Sequence, residues 1–553
     1  MRPVRTRFPA ATPVLIVGGG PVGLTLSLLF SAHRVRHLLV EARPATSLHP
    51  KARGVSARSM EIFRSLGLEE EIRRAGLPAS HVRFYRGRSL VDPDFVRTEA
   101  AHGPTDRTTE GAAEGAAEGA ERTPAPGLIC SQDALEAVLL RRARELAPEA
   151  VEFATRLVAF TEDGQGVLAT LEGRATGHRR TVRADWLVGC DGAASTVRSG
   201  AGIAMEGPTG LGHYLSVRFE APLGEVVADR ASASYFLTEP GRGGFMAVDN
   251  DRHWIYQYPF DPVAGGVPEA LGDHRQLARL VREAAGLPDL DVTVRDTMTW
   301  RMDARLAESY RRSRVLLAGD AAHVVPPTGG HGMNTGIGDA DNLAWKLASV
   351  VTGTAGPALL DSYQDERRPL ARQVIDHSLD NSRARNGYRI DDELLLTAAY
   401  RSTAVVPDAA PDPRADPTPR PPLDPGREHP DGVPGSRLPH LRPAGGNGAA
   451  STLDLLGRGF TLLTPAPDAA WQRQADLAVA AGLPVTVRRL ADDAPGTAAQ
   501  WTGAFGLPAT GAVLVRPDAH IAWRAPRPPA DGAELLGVLR RILSAQPPAD
   551  RAV

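Results

Sequence analysis

A chain of 553 residues, 42% hydrophobic and 23% charged, has the make-up of an ordinary soluble protein, and at about 100 to 200 residues per domain it suits three or four domains. Lys and Arg number 63 against 65 Asp and Glu, a formal charge of −2, which gives no electrostatic footprint for a nucleic-acid partner. The cysteines, Cys130 and Cys190, cannot make a disulfide framework or a zinc ribbon, so no metal is expected and a reducing cytoplasm fits best.

Residues 14–17 form an apolar run of strand length, and from Pro21 the pattern turns helical, with Leu24, Leu28 and Leu29 able to face inward. A second strand, 37–40, ends at Glu41. The stretch 14–30 follows Arg2, Arg5 and Arg7, but it is interrupted by Gly18, Gly19, Gly20, Pro21 and Gly23 and is short for a membrane span. Those glycines fit G-x-G-x-x-G between a strand and a helix: Gly18 permits the turn, Gly20 lets backbone approach a pyrophosphate, and Gly23 allows close packing. The helix N-terminus offers free N–H groups to the phosphates. Glu41 stands where an acid can accept hydrogen bonds from a ribose diol. This is a nucleotide-binding βαβ unit, without discrimination between FAD and NAD.

Further along, 101–127 contains the low-complexity run GAAEGAAEGAE and is expected to be a mobile surface insertion. An apolar strand at 186–189 runs into Asp191 and Gly192, and another at 315–318 runs into Gly319 and Asp320. Between them, 206–299 carries Tyr235, Phe236, Phe245 and the alternating Trp254, Tyr256 and Tyr258. Alternation predicts half-buried strands, and such a stripe is read first as core. Residues 361–379 read as helix, 406–434 as a Pro-rich linker, and a last unit has strands at 460–463 and 512–515 around a helix at 470–481.

Three segments in order, GGGPVG at 18–23, DWLVGCDGAASTVR at 185–198 and RVLLAGDAAH at 314–323, resemble the single-component FAD-dependent aromatic hydroxylases of the para-hydroxybenzoate hydroxylase family, over residues 13–378. The last unit, 436–543, resembles the thioredoxin-like appendage of the longer hydroxylases of phenols and polyketides; with no cysteine after Cys190 it cannot exchange dithiols. The resemblance implies an α/β fold: a Rossmann-like FAD-binding domain (12–205 and 300–385), an inserted α+β substrate domain (206–299), a linker (386–435) and a thioredoxin-like domain (436–545). It implies FAD, NADPH or NADH as reductant, O2, and a small aromatic substrate, with a C4a-hydroperoxyflavin delivering the oxygen. Neither nucleic acid nor membrane is expected as a partner, and the assembly is expected to be a monomer or homodimer.

By the same resemblance, Asp191 and Gly192 serve flavin and nicotinamide binding, Gly319 and Asp320 hold FAD hydroxyls, and Gln132 contacts the cofactor. The loop with Pro327, Gly330, Gly332, Met333 and Asn334 runs beneath the isoalloxazine, where a helix N-terminus favours the negative charge of reduced flavin. In the segment KARGVSARSME at 51–61 and just before it, Arg58 and Arg43 are the candidates for phosphate. Arg198 is read equally as a salt-bridge partner. His331 and Gly338 stand where the family has glutamines, and His331 is read as a solvent-facing substitution. A second glycine fingerprint is absent, as in a family whose reductant binds transiently. Two other readings stay open: Baeyer–Villiger oxygenation on the same fold, and a flavin-binding sequestering protein without turnover.

Overall fold

The computed structural model describes residues 9–545 except 48, 50, 82, 100–121, 264–272, 384–392, 409–431, 443–449, 466–467, 491–496 and 529–533. Most of the expected insertion at 101–127 therefore lies outside the described residues. Its last residues are packed: Ala125 is fully buried and the Thr123 hydroxyl donates to Glu61 at 2.6 Å.

Five strands make a parallel ladder in the order Val315–Leu317, Arg179–Gly189, Ala11–Val17, His37–Val40, Val151–Glu152. The strand His37–Val40 is apolar after its first residue and buried along its whole length, as parallel strands covered on both faces must be. Helix Pro21–Ala32 begins on a proline at its first position, where the missing N–H costs no bond, and buries Leu24, Leu28 and Leu29. Because Ala11–Val17 is flanked by later strands on either side, its carboxyl end is the switch point where ligands bind in such sheets.

The second sheet has seven strands in the order Thr293–Met302, Gly212–Glu220, His253–Phe260, Gly244–Ala247, Ser234–Leu237, Arg83–Gly87, Val96–Glu99. It thus recruits two strands from before the insertion, beyond the 206–299 expected from sequence. One face carries Tyr235, Phe245, Trp254 and Tyr256, packed with Leu277 and Val281 of helix His274–Ala285. The aromatic stripe is core, as read; Phe236 points to the other face, its ring 5.4 Å from the Arg86 guanidinium.

A four-stranded sheet, Val485–Arg489, Phe460–Thr464, Ala512–Val515, Ile521–Ala525, forms the last unit with helices Ala469–Ala480 and Glu534–Ile542. Trp345, from helix Gly332–Val351 of the first unit, sits in its core with Phe460 at 5.6 Å. Around that contact lies a fully buried ionic cluster. Glu366, on helix Asp361–Arg383, accepts from Lys346 at 2.7 Å and from both terminal nitrogens of Arg516 at 2.6 and 2.9 Å. Burial pushes the Lys346 ammonium down to about 8. The expected linker is also packed in part: Leu394, Leu395, Leu396, Tyr400 and Val405 are buried. Among the described residues no helix is long and apolar enough to cross a membrane.

Removing one partner from a buried cluster strands the other charges. Glu366→Gln is expected to lower the unfolding free energy by about 3–5 kcal/mol in urea denaturation. Glu206→Gln, at the exposed pairs with Arg368 and Arg372, should cost less than about 1 kcal/mol. Equal losses would show that the buried cluster does not hold the units together.

Candidate functional site

The site forms where strand ends meet. At Gly18, φ is +113°, and a Cβ there would stand 2.2 Å from the Cys190 carbonyl oxygen; at Gly23 it would stand 1.9 Å from the carbonyl oxygen of Gly18. A Cβ on Gly20 would meet nothing within 4 Å. Two glycines therefore close the turn against the neighbouring strand, while the third leaves backbone facing open space. Glu41 accepts from the Gly19 N–H at 2.6 Å and from the Arg43 N–H and Nε at 2.8 and 2.9 Å. Burial opposes its charge, but the Arg43 side chain and these backbone donors hold the carboxyl below its usual range.

Gly319 and Gly336 close on the same helix, since a Cβ on either would strike Val22 at 2.9 or 2.6 Å. The turn at Gly319 is fixed by Asp339, which is fully buried and accepts from the Gly319 N–H at 3.0 Å, His323 Nε2 at 2.6 Å and Arg367 Nε at 2.8 Å. Between buried Gly319 and buried Ala321, the Asp320 side chain is open to water yet ringed by protein. The accessible space it faces, beside the carboxyl ends of the parallel strands, is the cleft. Desolvation by the surrounding protein pushes its carboxyl up, and the charges of His323 and Lys51 pull it back.

Several predicted residues take other roles. Asp191 accepts from the Ser195 hydroxyl and from the Val197 N–H at 3.1 Å, capping helix Thr196–Gly200, and burial raises its pKa; a Cβ on neighbouring Gly192 would meet open space. Arg198 is no salt-bridge partner of that helix's acid: it donates to the carbonyls of Ala321 and Ala193 at 3.1 and 2.9 Å, tying the two turns together. Arg58 is a correction. Its guanidinium is buried and bound to Glu61, Asp341 and the Asp518 carbonyl, joining the first unit to the last rather than reaching a phosphate. Lys51, exposed at the cleft and sensed by Asp320, is the better placed cation of that segment. Gln132 is engaged within the protein, accepting from the Ala52 N–H at 3.2 Å and donating to Glu136 at 2.7 Å.

In the loop before helix Gly332–Val351, Pro327 and Gly330 are exposed and a Cβ on Gly330 would meet nothing within 4 Å. Gly332 opens the helix and Met333 packs partly against the core. The Asn334 amide is saturated by protein: it accepts from the Ser56 N–H and the Ser59 hydroxyl and donates to the carbonyls of Gly54 and Gly330, all at 2.8–2.9 Å. The side chain clamps loop to segment, which leaves the backbone of the helix's first turn for the expected approach to the flavin. His331 is 1% exposed, so the expectation that it faces solvent fails; its ring lies 5.5 Å from that of His377.

The same clamped segment carries the opposite wall. Arg53 donates to the carbonyls of Ala233 and Ala247 at 2.7 and 2.9 Å, and His49 Nε2 bonds Ser216 Oγ at 2.6 Å with Nδ1 3.2 Å from Asp296. His49 thereby meets the face of the seven-stranded sheet opposite its aromatic core. On that face Gln257 donates to Ser216 at 2.9 Å and accepts from Trp300 Nε1 at 3.0 Å. Trp300 in turn stacks on its cross-strand partner Tyr214 at 4.4 Å and 13°. Nothing local in the sequence pointed to these residues, because the chain from Asp296 to Trp300 is assembled from four separated segments. The available signal was the residues at the alternate positions of strands already recognised by their aromatics.

Open backbone at Gly20, Gly192 and Gly330, helix N-termini at Pro21 and Gly332, and acids at Glu41 and Asp320 fit a dinucleotide with a ribityl chain. Comparison with known proteins agrees. Residues 11–378 match the family model described as FAD binding domain, and 431–546 match aromatic-ring hydroxylase, C-terminal. A putative polyketide hydroxylase of Streptomyces halstedii is 39% identical over 96% of this chain and 97% of its own. The tetracenomycin A2 monooxygenase-dioxygenase of Streptomyces glaucescens is 38% identical over 96% and 97%. The crystal structure of aklavinone-11 hydroxylase with FAD and aklavinone superposes with a TM-score of 0.82 at 35% identity, covering 96% of this chain and 99% of that one. The chain therefore belongs to the FAD-dependent aromatic-ring hydroxylases, and is a flavoprotein monooxygenase.

Proposed function

We propose that this enzyme hydroxylates a polycyclic phenol of the polyketide type, using O2 and NADPH or NADH, in the cleft between the Gly319–Asp320 turn and the Tyr214–Trp300 wall. The observation that carries the reading is that His49, bonded to Ser216 beside the stacked Tyr214–Trp300 pair, and Gly54 and Ser56, bonded to Asn334 of the flavin loop, flank Lys51, whose charge acts on the exposed Asp320. Full-length similarity to enzymes named for tetracenomycin and aklavinone supports a fused-ring substrate.

FAD, when bound, would supply the redox chemistry of the reaction, hydride acceptance from the reductant and transfer of one oxygen atom of O2 to an electron-rich ring with the other leaving as water. The chain's own residues bind and enclose. Backbone at Gly20 and the following helix N-terminus would receive the pyrophosphate, Gly18 makes the turn against the neighbouring strand, and Gly23 holds that helix close. Glu41 accepts from the ribose diol, and Asp320 from ribityl hydroxyls; a carboxylate needs no shifted pKa for either task. Gly330, Gly332 and the start of helix Gly332–Val351 favour negative charge at the flavin's pyrimidine edge. Lys51 and Arg43 are the cations offered to the reductant's phosphates. Trp300 and Tyr214 present flat apolar area that a planar substrate covers, excluding water from the reacting atoms. Ser216 and His49 keep Gln257, and through it Trp300, in one orientation.

Asp320→Ala is expected to give weakly flavinylated or colourless protein with ordinary thermal stability, read from visible absorption of the purified chain; normal FAD uptake would remove Asp320 from the cofactor site. Trp300→Ala should raise KM for a polycyclic phenol by about tenfold, the loss of an aromatic contact worth about 1.4 kcal/mol, and raise the peroxide formed per NAD(P)H. An unchanged coupling ratio would place the substrate elsewhere. With labelled dioxygen the label should appear in a new hydroxyl; label in a ring-expanded lactone would identify Baeyer–Villiger oxygenation instead.

A further inference from the structure

We propose that the C-terminal unit sets the geometry of the FAD turn at Gly319–Asp320, through Tyr400, Arg367 and Asp339 acting as positioning residues. The inference rests on the reading that this turn holds the cofactor. The connection is continuous. In the last unit, the Asp518 carbonyl accepts from His520 Nδ1 at 2.9 Å, and the His520 ring stacks on Tyr400 at 4.2 Å and 27°. The Tyr400 N–H donates to the Gly435 carbonyl at 2.8 Å, and the Arg516 guanidinium stands 5.4 Å from the ring centre. The hydroxyl of Tyr400 accepts from Arg367 Nη1 at 2.8 Å. Arg367 then donates to the Thr335 carbonyl and to Asp339, both at 2.8 Å, and Asp339 receives the Gly319 N–H at 3.0 Å.

Each link restricts the next. The guanidinium is planar and its donors leave in fixed directions, so anchoring Nη1 on Tyr400 fixes the plane from which Nε addresses Asp339. Every group from Tyr400 to Asp339 is buried, so a misdirected donor finds no water to replace its partner. Tyr400 lies outside both family matches, which end at 378 and resume at 431, in a segment whose sequence reads as linker. A unit that lacks redox cysteines thereby acquires a task in flavin binding.

The test titrates apoprotein with FAD and records the visible circular dichroism of the complex. Tyr400→Phe, which removes only the hydroxyl, should raise the FAD Kd about fivefold to tenfold, the effect of one buried hydrogen bond, and should alter the flavin dichroism. Arg367→Lys keeps the charge, loses the fork and should do the same from the other end. Val485→Ala, in the core of the C-terminal unit away from this chain of contacts, and Asp454→Asn, which breaks the exposed bridge to Arg64, should leave both readings at wild type. The proposal is overturned if Tyr400→Phe and Arg367→Lys bind FAD normally, or if Val485→Ala weakens FAD equally at a matched loss of Tm. Asp320→Ala separates the two ideas. Weak binding there with normal binding in Tyr400→Phe overturns the positioning role alone, whereas normal binding in Asp320→Ala overturns the cofactor site on which it rests.

Discussion

A carboxylate with no access to water must find its charge compensation inside the protein, and Asp339 finds it from three directions. Its donors come from the Gly319 turn, from His323 and from helix Asp361–Arg383. Burial opposes ionisation, and His323 and Arg367 overcome it, holding the carboxyl below its ordinary range. Withdrawing any donor leaves a buried charge short of partners, a loss of several kcal/mol. The turn that carries Asp320, the helix aimed at the flavin and the helix behind it are therefore not independently adjustable. The glycines at 319 and 336 serve the same end, removing the side chains that would keep Val22 away.

The C-terminal unit repeats this logic on a larger scale. Its contact with the first unit pairs Trp345 and Phe460 with Glu366, Lys346, Arg516 and Asp518, all buried. A well-packed apolar contact of that volume would stabilise the chain as well or better, since ion pairs recover their desolvation cost only when geometry is right. What such a cluster adds is discrimination among docked positions, because a shift of an ångström breaks several short bonds together. An interface of that kind suits a unit whose register matters to helix Gly332–Val351, and through it to the cleft.

How much of this was legible depended on whether a feature is local. The strand, glycine turn and helix at 11–32 are written in consecutive residues, and so are the DG and GD turns; their chemistry follows from spacing. Arg58 misled because an arginine beside a nucleotide segment has the same local pattern whether it meets a phosphate or Glu61, Asp341 and the Asp518 carbonyl. The last of these lies 460 positions away. For Asn334 the side chain is spent on four bonds to protein, which the local sequence does not reveal, and its place in the loop is left to the backbone. Ser216, Gln257 and Trp300 were invisible because only the folded sheet places them together, whereas Lys51 stood in the segment read for phosphate and was passed over for Arg58. The split between the sheet's two faces, by contrast, was half written in the alternation of Trp254, Tyr256 and Tyr258.

The two departures from the family pattern now have a physical setting. A Cβ at 338 would lie 2.8 Å from Arg367 Nη2, a nitrogen already committed to the Thr335 carbonyl. A glutamine there would have to displace a guanidinium that also holds Tyr400 and Asp339, so glycine at 338 and the present placement of Arg367 belong together. His331 precedes the same helix without a side-chain capping bond and is buried near His377, whose Nε2 is 3.1 Å from Asn381 Nδ2. Thr328 donates to the Ser378 carbonyl at 2.6 Å from the same loop. The loop is thus tied to helix Asp361–Arg383 at its beginning and end. That helix is the element gripped by the C-terminal unit through Glu366, so positions 331 and 338 both face a single buttress, through His377 and through Arg367.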